Sequence, residues 1–444
     1  MKTDITLKNI NKLAIPALIA GVAEPILSLT DTAIIGNVDY HAAESLAAVG
    51  IVGTFISMLI WVLGQTRSAI SSIVSQHLGA NQLDKVKNLP AQAIFIITSI
   101  SILIIITTWP FASQIFKLYN ASDLILKYSI DYYHIRVFGF PFTLFTIAIF
   151  GTFRGLQNTY YPMIIAIIGT IVNVILDFAL VYGIEGVINP MHIKGAAYAS
   201  VIAQIIMAIC SAYFLSKKTD ISLRVTFPFN AEIKNFTLMI LNLFIRTLAL
   251  NITLYFATRF ATSYGTEYIA AYTIAINLWF LGAFIIDGYA SAGNILSGKY
   301  LGAKNYSKLI ELSQLLIKCG IGVGIILAVL GLVFYYFVGS IFTQDQLVLN
   351  EFYKVFWIVL VMQPLCALAF IFDGMFKGMG KMKFLRNLLL LSTGLVFIPI
   401  LFLLDSYNLK LYAVFIALTL WIIARGFPLI IKFRQLFLPH VQKT

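Results

Sequence analysis

The sequence predicts an all-α integral membrane protein whose twelve transmembrane helices form two six-helix lobes. Three observations carry this expectation. Of the 444 residues, 60% are hydrophobic and only 11% charged, and the mean hydropathy is +0.89. A soluble domain does not hide that much apolar side chain. Twelve apolar stretches, each of about 20 residues and so long enough to cross ~30 Å of hydrocarbon, centre near residues 24, 58, 100, 142, 172, 206, 248, 280, 326, 363, 394 and 421. Finally, the chain repeats itself at a shift of 223 residues.

The repeat needs no gap between 44–80 and 267–303. Identities there include Glu44/Glu267, Ala47/Ala270, Ala48/Ala271, Ile51/Ile274, Ser68/Ser291 and Ala69/Ala292. Leu78-Gly79-Ala80 also matches Leu301-Gly302-Ala303. The same shift returns downstream, where Pro141 meets Pro364 and the GTFRG run 151–155 meets GMFKG at 374–378. Twelve spans divide into six plus six. An even number per half brings both halves in from the same side, so the repeat is parallel. In a membrane protein this architecture points to a transporter with its substrate path between the halves.

The first span passes through Glu24 and Asp31 with no small-residue cleavage site, so it reads as a span and not a signal peptide. Spans two and eight end in the related Leu-Gly-Ala turns, where Gly supplies backbone freedom at a helix end. The longest polar interruption, Ser216 to Lys234, falls between spans six and seven. The expected organisation is therefore an N-lobe over 1–220, a linker over 221–234 and a C-lobe over 235–444.

Charge gives the orientation. Lys2, Lys8, Lys12, Lys85, Lys87, Arg154, Lys217, Lys218, Arg224, Lys234, Lys299, Lys304, Lys308, Lys377, Lys381, Lys383, Arg386, Lys432, Arg434 and Lys443 cluster on one side. The opposite loops carry Asp39, Glu44, Glu185, Glu267 and Asp345. The positive-inside rule puts both termini in the cytoplasm of a multi-pass plasma-membrane protein. The net charge of +12 then follows from topology, and no soluble basic domain exists to bind nucleic acid. Cys210, Cys319 and Cys366 fall in or beside spans and show no metal spacing or disulfide framework.

Ionisable residues inside spans cost at least ~2.5–3.5 kcal/mol each on insertion scales, so they mark an ion path or a partner. The N-lobe holds Glu24, Asp31 and Asp177. The C-lobe holds Asp287 and Asp373, with Arg246 and Arg259 in span seven. Glu24 and Asp31 share one helix face, with Pro25 between them removing a backbone hydrogen bond. Asn173 and Asp177, four apart, share a face of span five. Spans one and five run outward and end near Gly36 and Gly183, while span six runs inward from Gly195. At 1.5 Å per residue, Asp31, Asn173, Asp177 and Ser200 come to about the same depth, some 8–9 Å from the outer edge. Together they can form a proton or Na⁺ site. The alternative is that each acid is neutralised locally and merely pins helices. For the two arginines, snorkelling or a local ion pair is the ordinary reading.

At the same shift Asp177 meets Ile400, Asp373 meets Phe150 and Asp287 meets Gly64. The copies share Gly, Ala, Pro and turns, while the acids belong to one lobe or the other.

Several of these segments resemble the multidrug and toxic compound extrusion (MATE) family, in particular its DinF-like branch. They are AEPILSLTDTAIIG at 23–36, RGLQNT at 154–159 with Pro162, NVILD at 173–177 and GAAYAS at 195–200. In the second half FIRTL at 244–248, IDGYA at 286–290 and ARG at 424–426 look like motifs of that branch. The resemblance covers the whole chain. It implies a V-shaped pair of lobes exporting organic molecules, often cationic drugs, in exchange for H⁺ or Na⁺ by alternating access. Carried over by position, Asp31, Asn173, Asp177 and Ser200 become the N-lobe cation site. Ser200 stands where relatives often have Thr.

Glu24, Pro25, Asp287 and Asp373 are possible accessory groups. The expected partners are a small organic substrate and the bilayer, with the protein a monomer and no cofactor beyond the coupling ion. Two rivals are a flippase for lipid-linked precursors and an integral-membrane enzyme. The first calls for several arginines gripping a pyrophosphate, and only Arg246 and Arg259, both on one helix, offer themselves. The second lacks clustered ligands, its histidines being scattered at 41, 77, 134, 192 and 440.

Overall fold

The computed structural model describes residues 5–441 apart from 37, 39 and 40, and without the side chains of 23–29, 42 and 441. Twelve helical spans follow one another: α1 (Leu7–Ile35), α2 (Ala43–Gly79), α3 (Leu83–Thr108), α4 (Asp123–Gly155), α5 (Tyr160–Val181), α6 (His192–Lys218), α7 (Ile233–Ser263), α8 (Thr266–Gly302), α9 (Tyr306–Val333), α10 (Gln346–Gly378), α11 (Met382–Ser406) and α12 (Leu411–His440). Among the described residues, α2 to α12 are each long and apolar enough to cross a bilayer. Lipid requires every backbone N–H and C=O to be satisfied within the segment, which a helix does. Large apolar side chains left exposed, such as Ile106, Ile175, Val333 and Leu395, suit a hydrocarbon surround.

The chain forms two compact units. The first contains Ile19–Val74 and Gln82–Ile240. The second contains the chain up to Leu18, Ser75–Asn81 and everything from Leu241 onward. The division runs through α1, α2 and α7. In the second unit, Trp421, Phe352, Phe397 and Phe415 fill the core among α8, α10, α11 and α12.

The repeated glycines sit where helices cross. In the first unit Gly151 and Gly155 of α4 lie against α2, where a Cβ at Gly151 would come 2.7 Å from the Arg67 carbonyl oxygen and one at Gly155 2.6 Å from Val74 Cβ. In the second unit Gly374 and Gly378 of α10 lie against Ala290 and Asn294 of α8 in the same manner. Ala290 is again 223 residues beyond Arg67, and Asn294 is 223 beyond Ser71, whose carbonyl oxygen a Cβ at Gly155 would approach to 3.2 Å. Within the second unit the end of α2 meets the end of α8 reciprocally. A Cβ at Gly79 would collide with the Lys299 carbonyl, and one at Gly302 with the Gln76 carbonyl. Gln76 Nε2 also donates to the Gly378 carbonyl at 2.9 Å. The repeat thus encodes close helix crossings, which small residues permit in membranes.

Four helices depart from regular α geometry: α2 is interrupted at Gly64 and Gln65, and α3 begins with a 3-10 turn, Leu83–Val86. α4 tightens to a 3-10 turn over Val137–Gly139 just ahead of Pro141, whose missing N–H suits a helix restart. α11 contains a π-turn, Ser392–Phe397. It presents Thr393 to the Trp421 indole N–H at 3.1 Å and to Thr253 at 3.0 Å. Two of the cations that the sequence places in cytoplasmic loops are inside helices and largely withdrawn from the surface. Arg154 is buried in the last turn of α4, and Lys377 is mostly buried in the last turn of α10.

Gly378→Ala forces its Cβ into the Asn294 carbonyl and is expected to cost about 1–3 kcal/mol, as overpacking does. Gly322→Ala, with nothing within 4 Å of the added carbon, is expected to leave stability equal or higher. Thermal melts in detergent, compared side by side, check the pair.

Candidate functional site

The first unit brings Asp31 (α1), Asn173 and Asp177 (α5) and Ser200 (α6) into one buried group, with exposures of 4, 1, 0 and 4%. Local packing explains the convergence. α6 begins at His192, three residues before the expected Gly195. Gly195 instead marks where α6 presses on the end of α5, since a Cβ there would come 2.5 Å from the Leu180 carbonyl oxygen. That contact sets Ser200 beside Asn173. The Tyr182 hydroxyl, just beyond α5, donates to the Ile34 carbonyl at 3.0 Å. This ties the C-terminal end of α1 to the end of α5 and fixes the height of Asp31.

The Ser200 hydroxyl donates to Asp31 Oδ2 at 2.8 Å. The amide of Asn173 faces both carboxylates. With its nitrogen turned to them it donates to Asp31 Oδ1 at 3.2 Å and to Asp177 Oδ2 at 3.1 Å, whereas the opposite orientation faces oxygen onto oxygen. The two carboxylates are themselves within hydrogen-bonding reach. Asp177 Oδ1 is buried and has no partner among the described residues. This is an acceptor-rich knot in an apolar lobe, one donor short.

A cavity of about 130 Å³ opens beside it, with room for several waters. Asp31, Asn173 and Ser200 line it together with Arg67, Tyr132, Arg136 and Gln204, and with apolar Val49, Ile56, Phe150 and Met207. Arg136 Nη1 donates to Gln204 Oε1 at 2.9 Å. The missing side chain of Gly139 leaves the space that this pair occupies. Tyr132, 2% exposed, lies close enough to feel the charges of Asp31, Arg136 and Asp177. Arg136 is therefore an internal cation of the acid site, which the sequence reading did not single out. Its signal was present, since Tyr132 and Arg136 are four apart on a helix and so share a face.

The accessory candidates go elsewhere. The side chains of Glu24 and Pro25 lie outside the described residues. Asp373 and Asp287 belong to the second unit. Asp373 Oδ1 accepts from Arg246 Nη2 at 2.7 Å and lies 3.9 Å from Arg425 Nη2, while its Oδ2 lies 2.9 Å from Lys377 Nζ. Asp287 is exposed, as is Arg259. The expectation that basic groups come from one helix is corrected: α7, α10 and α12 each contribute. Lys377 was missed because it reads as a loop cation, and Arg425 was noted only within the ARG motif at 424–426, with no partner assigned.

The MatE family model matches residues 16–179 and again 239–403, each over about one lobe. The chain belongs to the MatE family. The two matches begin 223 residues apart, at the shift of the internal repeat. Among similar proteins are DNA damage-inducible protein F of Escherichia coli (strain K12), 25% identical over 95% of this chain and 91% of that one, and Protein DETOXIFICATION 42 of Arabidopsis thaliana, 24% identical over 90% and 86%. Probable multidrug resistance protein NorM of Photorhabdus laumondii is 25% identical over 90% and 87%. A crystal structure of MATE in the bent conformation superposes with a TM-score of 0.90 at 21% identity, covering 98% of this chain and 96% of that one. The straight conformation gives 0.87 at 22%, over 98% and 97%. The fold is thus that of the MATE transporters, and the protein is a multi-pass membrane protein of a transporter family.

Asn173→Ala removes the donor shared by the two acids. It is expected to cost about 1–3 kcal/mol, the penalty for a buried polar group left unpaired. Melting curves of the detergent-purified variant, compared with those of the parent protein, check this.

Proposed function

We propose that this chain is a secondary antiporter that exports amphipathic organic molecules in exchange for a cation by alternating access. The observation that carries the reading is the pair Asp31 and Asp177, bridged by one amide, with Asp177 Oδ1 lacking a donor. Two like charges in low dielectric repel strongly, and one bound cation relieves the repulsion. Such a site binds its ion with an affinity that depends on how closely the acids are held. A conformational change that moves α1 relative to α5 therefore alters ion affinity, and differential affinity between two states is what coupling requires.

The donor set favours H⁺ over Na⁺. Asn173 presents nitrogen to the acids, and Ser200 directs its hydroxyl hydrogen at Asp31. A proton completes this arrangement by supplying the one missing donor. A Na⁺ needs oxygen ligands, so Asn173 and Ser200 must both turn around to receive it. Arg136 offsets part of the acid charge from the cavity wall and keeps the pair from holding a cation too tightly to release. The cycle then runs as follows. The outward-facing site takes a proton, α1 repacks, substrate leaves, and the inward-facing state returns the proton to the cytoplasm. The multidrug resistance relatives support an organic substrate.

Reconstituted protein under an imposed pH gradient is expected to export ethidium, and Asp31→Asn and Asp177→Asn are each expected to lower gradient-driven transport at least tenfold. Retained coupling in both variants, to either a pH or a Na⁺ gradient, removes the acid pair from the mechanism.

A further inference from the structure

We propose that Arg246, Lys377 and Arg425 form an oxyanion site in the second unit, which takes the carboxylate or phosphate group of an organic molecule. The proposal rests on the transporter reading and narrows its substrate class from amphipathic molecules in general to those carrying an anionic head.

Charge balance is the starting point. Three basic side chains from three helices converge on one acid. Arg246 comes from α7, Lys377 and Asp373 from α10, and Arg425 from α12. Their side chains are 8, 17, 10 and 6% exposed in that order. Among the described residues Asp373 is the one carboxylate within ion-pair reach of the three cations, and Asp287 of α8, which acts on Lys377 electrostatically, is exposed and outside that reach. Loss of the Lys377 proton does not restore balance. Two guanidinium groups then remain against one carboxylate, and arginine does not deprotonate in proteins. Buried charge in excess of its partners is costly, and an added oxyanion that accepts from the spare N–H groups removes the cost.

Donors are in surplus as well as charge. Two arginines carry ten N–H groups, and Asp373 can occupy only a few of them. Arg246 Nε is buried with no partner among the described residues. Arg425 is aimed by stacking more than by its 3.9 Å approach to Asp373, since its guanidinium lies 4.9 Å from the Trp421 ring and 5.3 Å from the Phe370 ring. Those rings set aromatic surface beside the positive charge, as an aromatic or otherwise apolar acid requires. Lys377, the least buried member, and exposed Asp287 mark the accessible edge. Asp373 then acts as a resident competitor that the incoming oxyanion must partly displace.

The test is equilibrium binding with no gradient, so its failure is separable from failure of the antiport reading. Full-length protein in phosphatidylcholine nanodiscs is titrated calorimetrically with benzoate, phenyl phosphate and phenyltrimethylammonium, which share a ring and differ in head charge. The two anions are expected to bind at least tenfold more tightly than the cation. Arg425→Gln is expected to weaken anion binding at least tenfold, and Arg425→Lys to keep most of it. Asp373→Asn is expected to tighten anion binding about tenfold by removing the competitor, which a purely structural role for the cluster does not produce. Repeating the titration with phosphatidylglycerol in the disc separates the sources of the anion. Loss of the benzoate signal there assigns the site to a lipid headgroup, and its persistence to a soluble acid. The proposal is overturned if phenyltrimethylammonium binds as well as the anions, if Arg425→Gln leaves anion binding unchanged, or if Asp373→Asn weakens it.

Discussion

One amide holds two buried carboxylates together. Asn173 bridges Asp31 and Asp177 at 3.2 and 3.1 Å, in a lobe whose surroundings do little to screen their repulsion. Everything near this group follows from keeping the arrangement possible. Gly195 lets α6 close on α5 so that Ser200 can donate to Asp31. Tyr182 locks α1 to α5 at Ile34, which fixes the height of Asp31 against Asp177. Arg136, anchored by Gln204 in the space left by Gly139, returns positive charge to the cavity wall. A site built this way is stable only while its helices stay in register, and that is why a change of register can alter its hold on a cation.

The second unit solves the opposite problem. There a single carboxylate faces three cations, and the helix crossings that support it are the counterparts of those in the first unit. Gly374 and Gly378 place α10 against α8 as Gly151 and Gly155 place α4 against α2. The four residues Gly374 to Lys377 show how the frame and the chemistry are interleaved: the glycine at 374 brings the helices close, while Asp373 just before it and Lys377 just after carry charge. Glycine spacing therefore fixes where charges on α10 stand without dictating their sign.

Most of the frame was legible because it rests on composition, length and repetition. The apolar stretches became helices, and the 223-residue echo reappears both in the crossing glycines and in the paired family matches. The four polar residues predicted to share a depth lie within hydrogen-bonding distance, since depth along a helix follows from residue count and rise alone. Side-chain direction was harder to read. Lys377 and Arg154 were assigned to loops because hydropathy averages over a window and a last-turn cation looks like the start of a loop. Arg136 was not singled out and Arg425 was noted only within a motif, because what each does depends on helices distant in sequence, α6 for Arg136 and α7 and α10 for Arg425, which no local pattern announces.

The repeat therefore divides the sequence into what the fold needs twice and what each unit uses once. At the shift of 223, Asn173 meets Val396, Asp177 meets Ile400, Ser200 meets Ile423 and Arg136 meets Val359, so each polar member of the first site has an aliphatic partner in the second half. Asp373 in turn meets Phe150, which lines the cavity of the first unit. A transporter that carried the same site twice would bind its ion equally in both halves and gain no direction from it. An acid knot in one unit and a basic cluster in the other instead gives the two halves different electrostatics, and under the proposed antiport that difference is what lets each half answer to a different solute.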